Sequence, residues 1–205
     1  MSRRPPVLVA ADSKDARAAR PVRLITRDAS LDGSAAVWAE ANGFKGQHGR
    51  LLLCADTQGQ ISEALFGVEP SLDPMAIRGL ADRLPGGIWR LEDVPDDQAE
   101  LAALAFCLGS YAFDRYTPAR TEPAAQLVVP ENVDVDRVLD TVRSCDLVRE
   151  MVDTPAADMG PLQIETLARE ISEESGATIH VITGDDLLEA NYPAVHAVGR
   201  AAVPA

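Results

Sequence analysis

A chain of 205 residues fits one domain with an extension, or two small domains. Hydrophobic residues make up 46% and aromatic residues only 4%, so any core is aliphatic, built from Leu, Val, Ile and Ala. A formal net charge of −13 excludes a nucleic-acid backbone or an anionic membrane as the main partner, because both would repel the surface.

Residues 1–6 lead into a short apolar run at 7–11, too short for the hydrophobic region of a signal peptide, and no later stretch is long enough to span a bilayer. Cys54, Cys107 and Cys145 are odd in number and far apart, which suits a reducing cytoplasm rather than a disulfide framework. Val22, Leu24 and Ile25 predict a strand within residues 21–30, and residues 33–42 a short helix ended by Gly43. The apolar runs at 51–54 and 61–68 flank Asp56-Thr57-Gln58-Gly59-Gln60, a pattern for an antiparallel pair joined by a glycine-containing turn. Asp73-Pro74 opens a predicted helix carrying Met75, Ile77, Leu80 and Ala81, which closes near 85–87, and residues 88–91 form a strand.

Leu101, Leu104, Ala105 and Leu108 recur at the spacing of one buried helix face. Asp97 and Glu100 have the spacing of a capping box at its start. Residues 113–122 read as a polar, Pro-flanked loop and 126–130 as a strand. Asn132 or Asp134 caps a long helix with Val135, Val138, Val142, Cys145, Val148 and Val152 along one face. Thr154-Pro155 ends it, since a residue before proline resists the α region. Pro161 starts the next helix, whose predicted buried face is Ile164, Leu167, Ala168 and Ile171, and Gly176 is placed to cap its end. A strand at 177–182 and short helices at 184–190 and after Pro193 complete the series. Strands alternating with helices predict a three-layer α/β/α arrangement.

Candidate chemistry is sparse. His48, His180 and His196 are far apart, and none is paired with another His or Cys at ligand spacing, so no zinc site is assigned. Asp96-Asp97 and Asp185-Asp186 are explained by helix capping, and Asp134, Asp136 and Asp140 by a solvated helix face. Asp153 and Asp158 bracket the Thr154-Pro155 turn, where loop aspartates hold local backbone N–H groups. Gly109-Ser110-Tyr111 lies in a helical pattern, and neither a G-x-S-x-G elbow nor a glycine-rich phosphate loop occurs.

Val152-Asp153-Thr154-Pro155-Ala156-Ala157-Asp158-Met159-Gly160-Pro161, then Gly184-Asp185-Asp186-Leu187-Leu188 and His196-Ala197-Val198-Gly199-Arg200-Ala201, come in an order that resembles the leucyl aminopeptidase (M17) family. Leu108-Gly109-Ser110-Tyr111 and Phe113-Asp114-Arg115-Tyr116 are similar to an L-G-x-Y-x-F-x-R-Y run of bacterial members. Asp153 and Ala157 stand where that family usually has Asn. The resemblance implies a macro-like amino-terminal domain at 1–130, a connecting helix at 131–152 and the first elements of an α/β catalytic domain at 153–205. It implies an aminopeptidase acting on peptides with two divalent ions, manganese or zinc, as a cytoplasmic homo-oligomer, a hexamer by family.

The family's metal-binding motifs, of the kind V-G-K-G-x-x-F-D-[ST]-G-G and N-T-D-A-E-G-R-L, are not found in this sequence. No catalytic or metal-binding residue is therefore placed on the chain, and alone it is expected to be inactive. Asp153, Thr154, Pro155 and Asp158 are assigned a structural role at the junction. The alternatives are a non-catalytic macro-like module that binds a nucleotide, or a structural subunit. Residues 153–205 are expected to lack support within the chain, leaving an edge and an apolar face exposed.

Overall fold

The computed structural model describes residues 7–27, 29–117 and 124–201. The chain divides into two compact units, Met1–Leu147 and Val148–Ala205. The first is built on one sheet with strands β1 (Leu8–Ala10), β2 (Arg20–Ile25), β3 (Leu51–Ala55), β4 (Ile61–Gly67), β5 (Gly87–Glu92) and β6 (Ala125–Val129). Their spatial order is β1-β6-β5-β2-β4-β3. All neighbours run parallel except β3 with β4, the antiparallel pair expected from sequence. In the turn between them Asp56 Oδ1 accepts N–H bonds from Gln58 at 2.8 Å and Gln60 at 2.9 Å. Gly59, at φ 79°, supplies the left-handed residue that the turn requires.

Both faces of the sheet are covered, because its strands alternate side chains between two apolar layers. Leu65, Ile25 and Cys54 face helix α1 (Gly33–Ala41), where Ala35 and Ala39 are small enough for helix and sheet to approach. Trp38 of α1 donates its indole N–H to Ala55 O at 3.0 Å, fixing the helix to the end of β3. Ala64, Phe66, Val22, Trp89 and Leu127 face the opposite way, into the larger core with helix α2 (Ala99–Gly109). The unit is thus the expected three-layer α/β/α arrangement.

Three expectations change within this unit. The segment after Asp73 forms a 3-10 helix, Pro74–Gly79, rather than an α-helix. Asp73 Oδ1 takes the Met75 N–H at 2.9 Å, and i→i+3 bonding places Ile77 and Leu80 one above the other, both fully buried. Helix α2 is rotated from its predicted phase: Ala105 is buried and Leu104 packs on the core as expected, but Ala99, Ala102, Ala103, Phe106 and Cys107 are buried too, while Leu101 is 41% exposed. Phe106 with small alanines, rather than the leucines, sets the face that meets the sheet and the 3-10 helix.

The Asp97–Glu100 capping box does not form either. A 3-10 turn, Asp96–Gln98, precedes α2, and the Glu100 carboxylate instead pairs with the Arg137 guanidinium. Arg137 lies on helix α3 (Val135–Asp153), whose first turn is capped by Asp134 Oδ1 accepting the Arg137 N–H at 3.0 Å. Val138 is buried and Leu139 and Val142 pack on the core. The boundary between the two units falls inside α3, and Val148 and Val152 beyond it are exposed.

The second unit holds helices α4 (Pro161–Ser175), α5 (Asp186–Glu189) and α6 (Pro193–Gly199). Gly176 at φ 69° closes α4 in the left-handed conformation, with the Ala177 N–H on Ser172 O. The predicted buried face of α4 is not buried: Ile164 and Ile171 are 47% and 45% exposed. The strand expected at 177–182 does not form, so His180 sits in exposed irregular chain. Its β-branched residues favour a strand, but a strand needs a neighbour to complete its ladder, and none pairs with it among the described residues.

Candidate functional site

Parallel strands direct their carboxyl ends to one edge, the usual place for a crevice in an open α/β sheet. Here β1, β6 and β5 end beside the first turns of α2, and a cavity of about 310 Å³ opens between them. Leu91, Val94, Ala102 and Leu127 give it aliphatic walls, and among the described residues Arg90 and Asp93 are the charged members of its lining. Arg90 is held by a 2.9 Å bond from Nη2 to Ala16 O. Asp93 adopts φ 62°, a left-handed conformation that Asp tolerates better than most residues. Sequence reasoning ended the strand at Leu91 and missed this site. The one available signal was an aspartate in the short link between a strand and the Pro95 that precedes a helix.

The residues singled out from sequence meet elsewhere, in the turn after α3. Thr154 is buried and donates its hydroxyl to Glu150 O at 2.6 Å, while its N–H bonds the same carbonyl at 3.0 Å. Pro155 O accepts the N–H groups of Asp158 at 2.8 Å and Met159 at 3.0 Å. Gly160 N–H donates to Gln163 Oε1 at 3.1 Å, tying the turn to the start of α4. Asp153 and Asp158 are exposed on either side. These bonds close the backbone of a tight junction.

The histidines do not converge. His48 lies 3.9 Å from Glu69, His180 is exposed, and His196 Nε2 lies 3.2 Å from Asp185 Oδ1. Among the described residues no group of three or more His, Cys, Asp or Glu is placed to hold a metal ion. Burial pushes the Cys107 thiol up to about 12 and the Cys54 thiol up to about 11, with nearby Glu63 adding to the latter, so neither is a thiolate nucleophile near neutral pH. No helix among the described residues is long and apolar enough to cross a membrane.

The family model for the M17 aminopeptidase N-terminal domain matches residues 20–130, more than half of the 205-residue chain. The chain belongs to the M17 aminopeptidase family. Peptidase B of Pectobacterium carotovorum subsp. carotovorum (strain PC1) is 32% identical over 72 residues, 34% of this chain and 16% of that protein. The crystal structure of cytosol aminopeptidase from Coxiella burnetii superposes with a TM-score of 0.82 at 29% identity, covering 97% of this chain and 44% of that one. The bottromycin maturation enzyme BotP in complex with Mn shares the fold, with a TM-score of 0.64 at 20% identity over 82% of this chain and 39% of its own. The M17 chain described here therefore spans less than half the length of these matched structures.

The two divalent ions that the family implies find no ligand set among the described residues. The described lining of the cavity includes one acidic and one basic residue, Asp93 and Arg90, and the junction turn has two exposed aspartates, Asp153 and Asp158. Neither arrangement fits a two-metal centre, which needs several convergent oxygen or nitrogen donors.

Proposed function

We propose that this chain is the amino-terminal part of a leucyl-aminopeptidase-like metallopeptidase that removes amino-terminal residues from peptides. The observation that carries the reading is the family match over residues 20–130 together with a fold that covers nearly all of this chain and less than half of the Coxiella enzyme. In this reading residues 1–130 form a macro-like domain, residues 131–152 connect, and residues 153–205 begin the catalytic domain. Two divalent ions, manganese or zinc, belong to the whole enzyme, and the presence of Mn in the BotP complex supports manganese. This chain supplies neither metal ligand nor nucleophile; its part is to pack the assembly and shape access to the active sites. A cytoplasmic homo-oligomer, hexameric as in the family, completes the proposal, and the exposed apolar residues of α4 and α6 support an assembled state.

The rival reading, a nucleotide-binding module, draws no support from the cavity. Asp93 lines it, and no glycine-rich phosphate loop occurs in the sequence. The test is intact mass and leucine-anilide hydrolysis measured together on the protein purified from its native source. Manganese-stimulated hydrolysis that travels with a polypeptide containing these residues is the expected result. Native protein without peptidase activity at any metal concentration would overturn the reading.

A further inference from the structure

We propose that the free edge of β3 pairs antiparallel with β3 of a second copy of this chain, about a two-fold axis at Leu53, so that two six-stranded sheets become one. The proposal stands on that edge alone and does not depend on the peptidase reading. β3 is the last strand of the sheet and pairs only with β4. Leu51-Leu52-Leu53-Cys54-Ala55 carries no charge and no proline, the devices that usually keep an outer strand from pairing. Its register irregularity falls between Cys54 and Ala55, at the far end of the strand.

The backbone shows which groups face outward. Gly67 donates its N–H to Arg50 O at 2.9 Å, and Asp56 donates its N–H to Gln60 O at 2.8 Å, so the even-numbered residues of this stretch turn their backbone groups toward β4. Alternation turns those of Leu51, Leu53 and Ala55 to the free side. Trp38 takes one lone pair of Ala55 O, and the second stays open to a ladder bond. Antiparallel pairing centred on Leu53 sets Leu53 opposite Leu53 and Leu51 opposite Ala55. Charge favours a second copy over an unrelated strand. In that register Arg50 of each copy stands opposite Asp56 of the other, and neither residue has an ion pair among the described residues. Opposite charges facing each other across a ladder stabilise it, and the two-fold axis makes the match twice.

The test uses the 205-residue chain carrying Cys145→Ser, Ile164→Glu and Val198→Glu, which removes the half-buried thiol and weakens other apolar contacts. In sedimentation velocity this chain should still dimerise reversibly. Leu53→Pro removes an outward N–H and leaves the ladder to β4 intact; with its fold checked by circular dichroism, it should weaken the dimer about tenfold or more. Arg50→Cys together with Asp56→Cys should give a disulfide-linked dimer on a non-reducing gel, since facing residues at these positions have Cα atoms about 4.5 Å apart. Within one chain the same two positions lie about 20 Å apart along the strand, too far for a disulfide. Either cysteine substitution alone should give no linked dimer, because neither position faces its own copy. A chain monomeric at every concentration, a folded double-cysteine variant that does not cross-link, linked dimers from the single substitutions, or a dimer unchanged by Leu53→Pro would each overturn the proposal.

Discussion

At Gly109, the last residue of α2, the backbone passes so close to the 3-10 helix that a Cβ would stand 2.0 Å from Arg78 O. The carbonyl belongs to rigid backbone, so Gly109→Ala must push the two helices apart. Overpacking of this kind costs about 1–3 kcal/mol, and urea unfolding should show that loss. From sequence, this glycine was placed only in a helical pattern, and its close approach was not legible because the contact joins residues 78 and 109, far apart in the chain. Cys54 and Cys107 were correctly read as unpaired, but their depth was not legible. Both thiols ionise at higher pH in the folded chain than in the unfolded one, since burial disfavours the thiolate. Between about pH 9 and 12 the unfolded state therefore loses protons first, and stability falls as pH rises. Chemical denaturation across that range should show the decline, and Cys54→Ala with Cys107→Ala should flatten it. A thiol-specific reagent at pH 8 should leave both residues unmodified until the chain unfolds.

Elements were legible where a local pattern decides them. The β3–β4 hairpin announced itself through two apolar runs around Asp56 and Gly59, and Gly176 marked the end of α4. Helix α2 shows the opposite case: its extent was readable but its rotation was not, because four alanines carry the buried face and hydrophobic weight alone points to leucine. The rotation makes opposite forecasts for two positions. Phe106→Ala should cost about 3–5 kcal/mol, as a fully buried aromatic ring leaves a cavity, and Leu101→Ala less than about 0.5 kcal/mol. Equal costs, measured by urea unfolding, would restore the predicted face. The 177–182 segment failed for a different reason. β-branched composition expresses a preference, and only a neighbouring strand converts it into structure. The cavity at the carboxyl edge of the sheet was invisible for a similar reason, since its lining comes from three strand ends and a helix start that meet only in the fold.

For the whole molecule, the family signature was readable and the support for residues 153–205 was expected to be poor. In the second unit Val152 is 77% and Val198 76% exposed, and no apolar side chain among its described residues is buried. Such surface associates with whatever apolar partner is present. The purified chain should therefore self-associate as concentration rises, and Ile164→Glu with Val198→Glu should reduce that in sedimentation velocity. The same pair should change unfolding stability by less than about 0.5 kcal/mol, because neither side chain is in a core. A chain that stays monomeric without these substitutions would show that the faces are already satisfied. As the amino-terminal portion of an M17 aminopeptidase, this chain is expected to carry none of the metal-dependent chemistry. The most direct test is a leucine-anilide assay of the purified 205-residue chain with added manganese or zinc. The account predicts no hydrolysis above the background of metal alone. Metal-dependent turnover that copurifies with the 205-residue chain would contradict it.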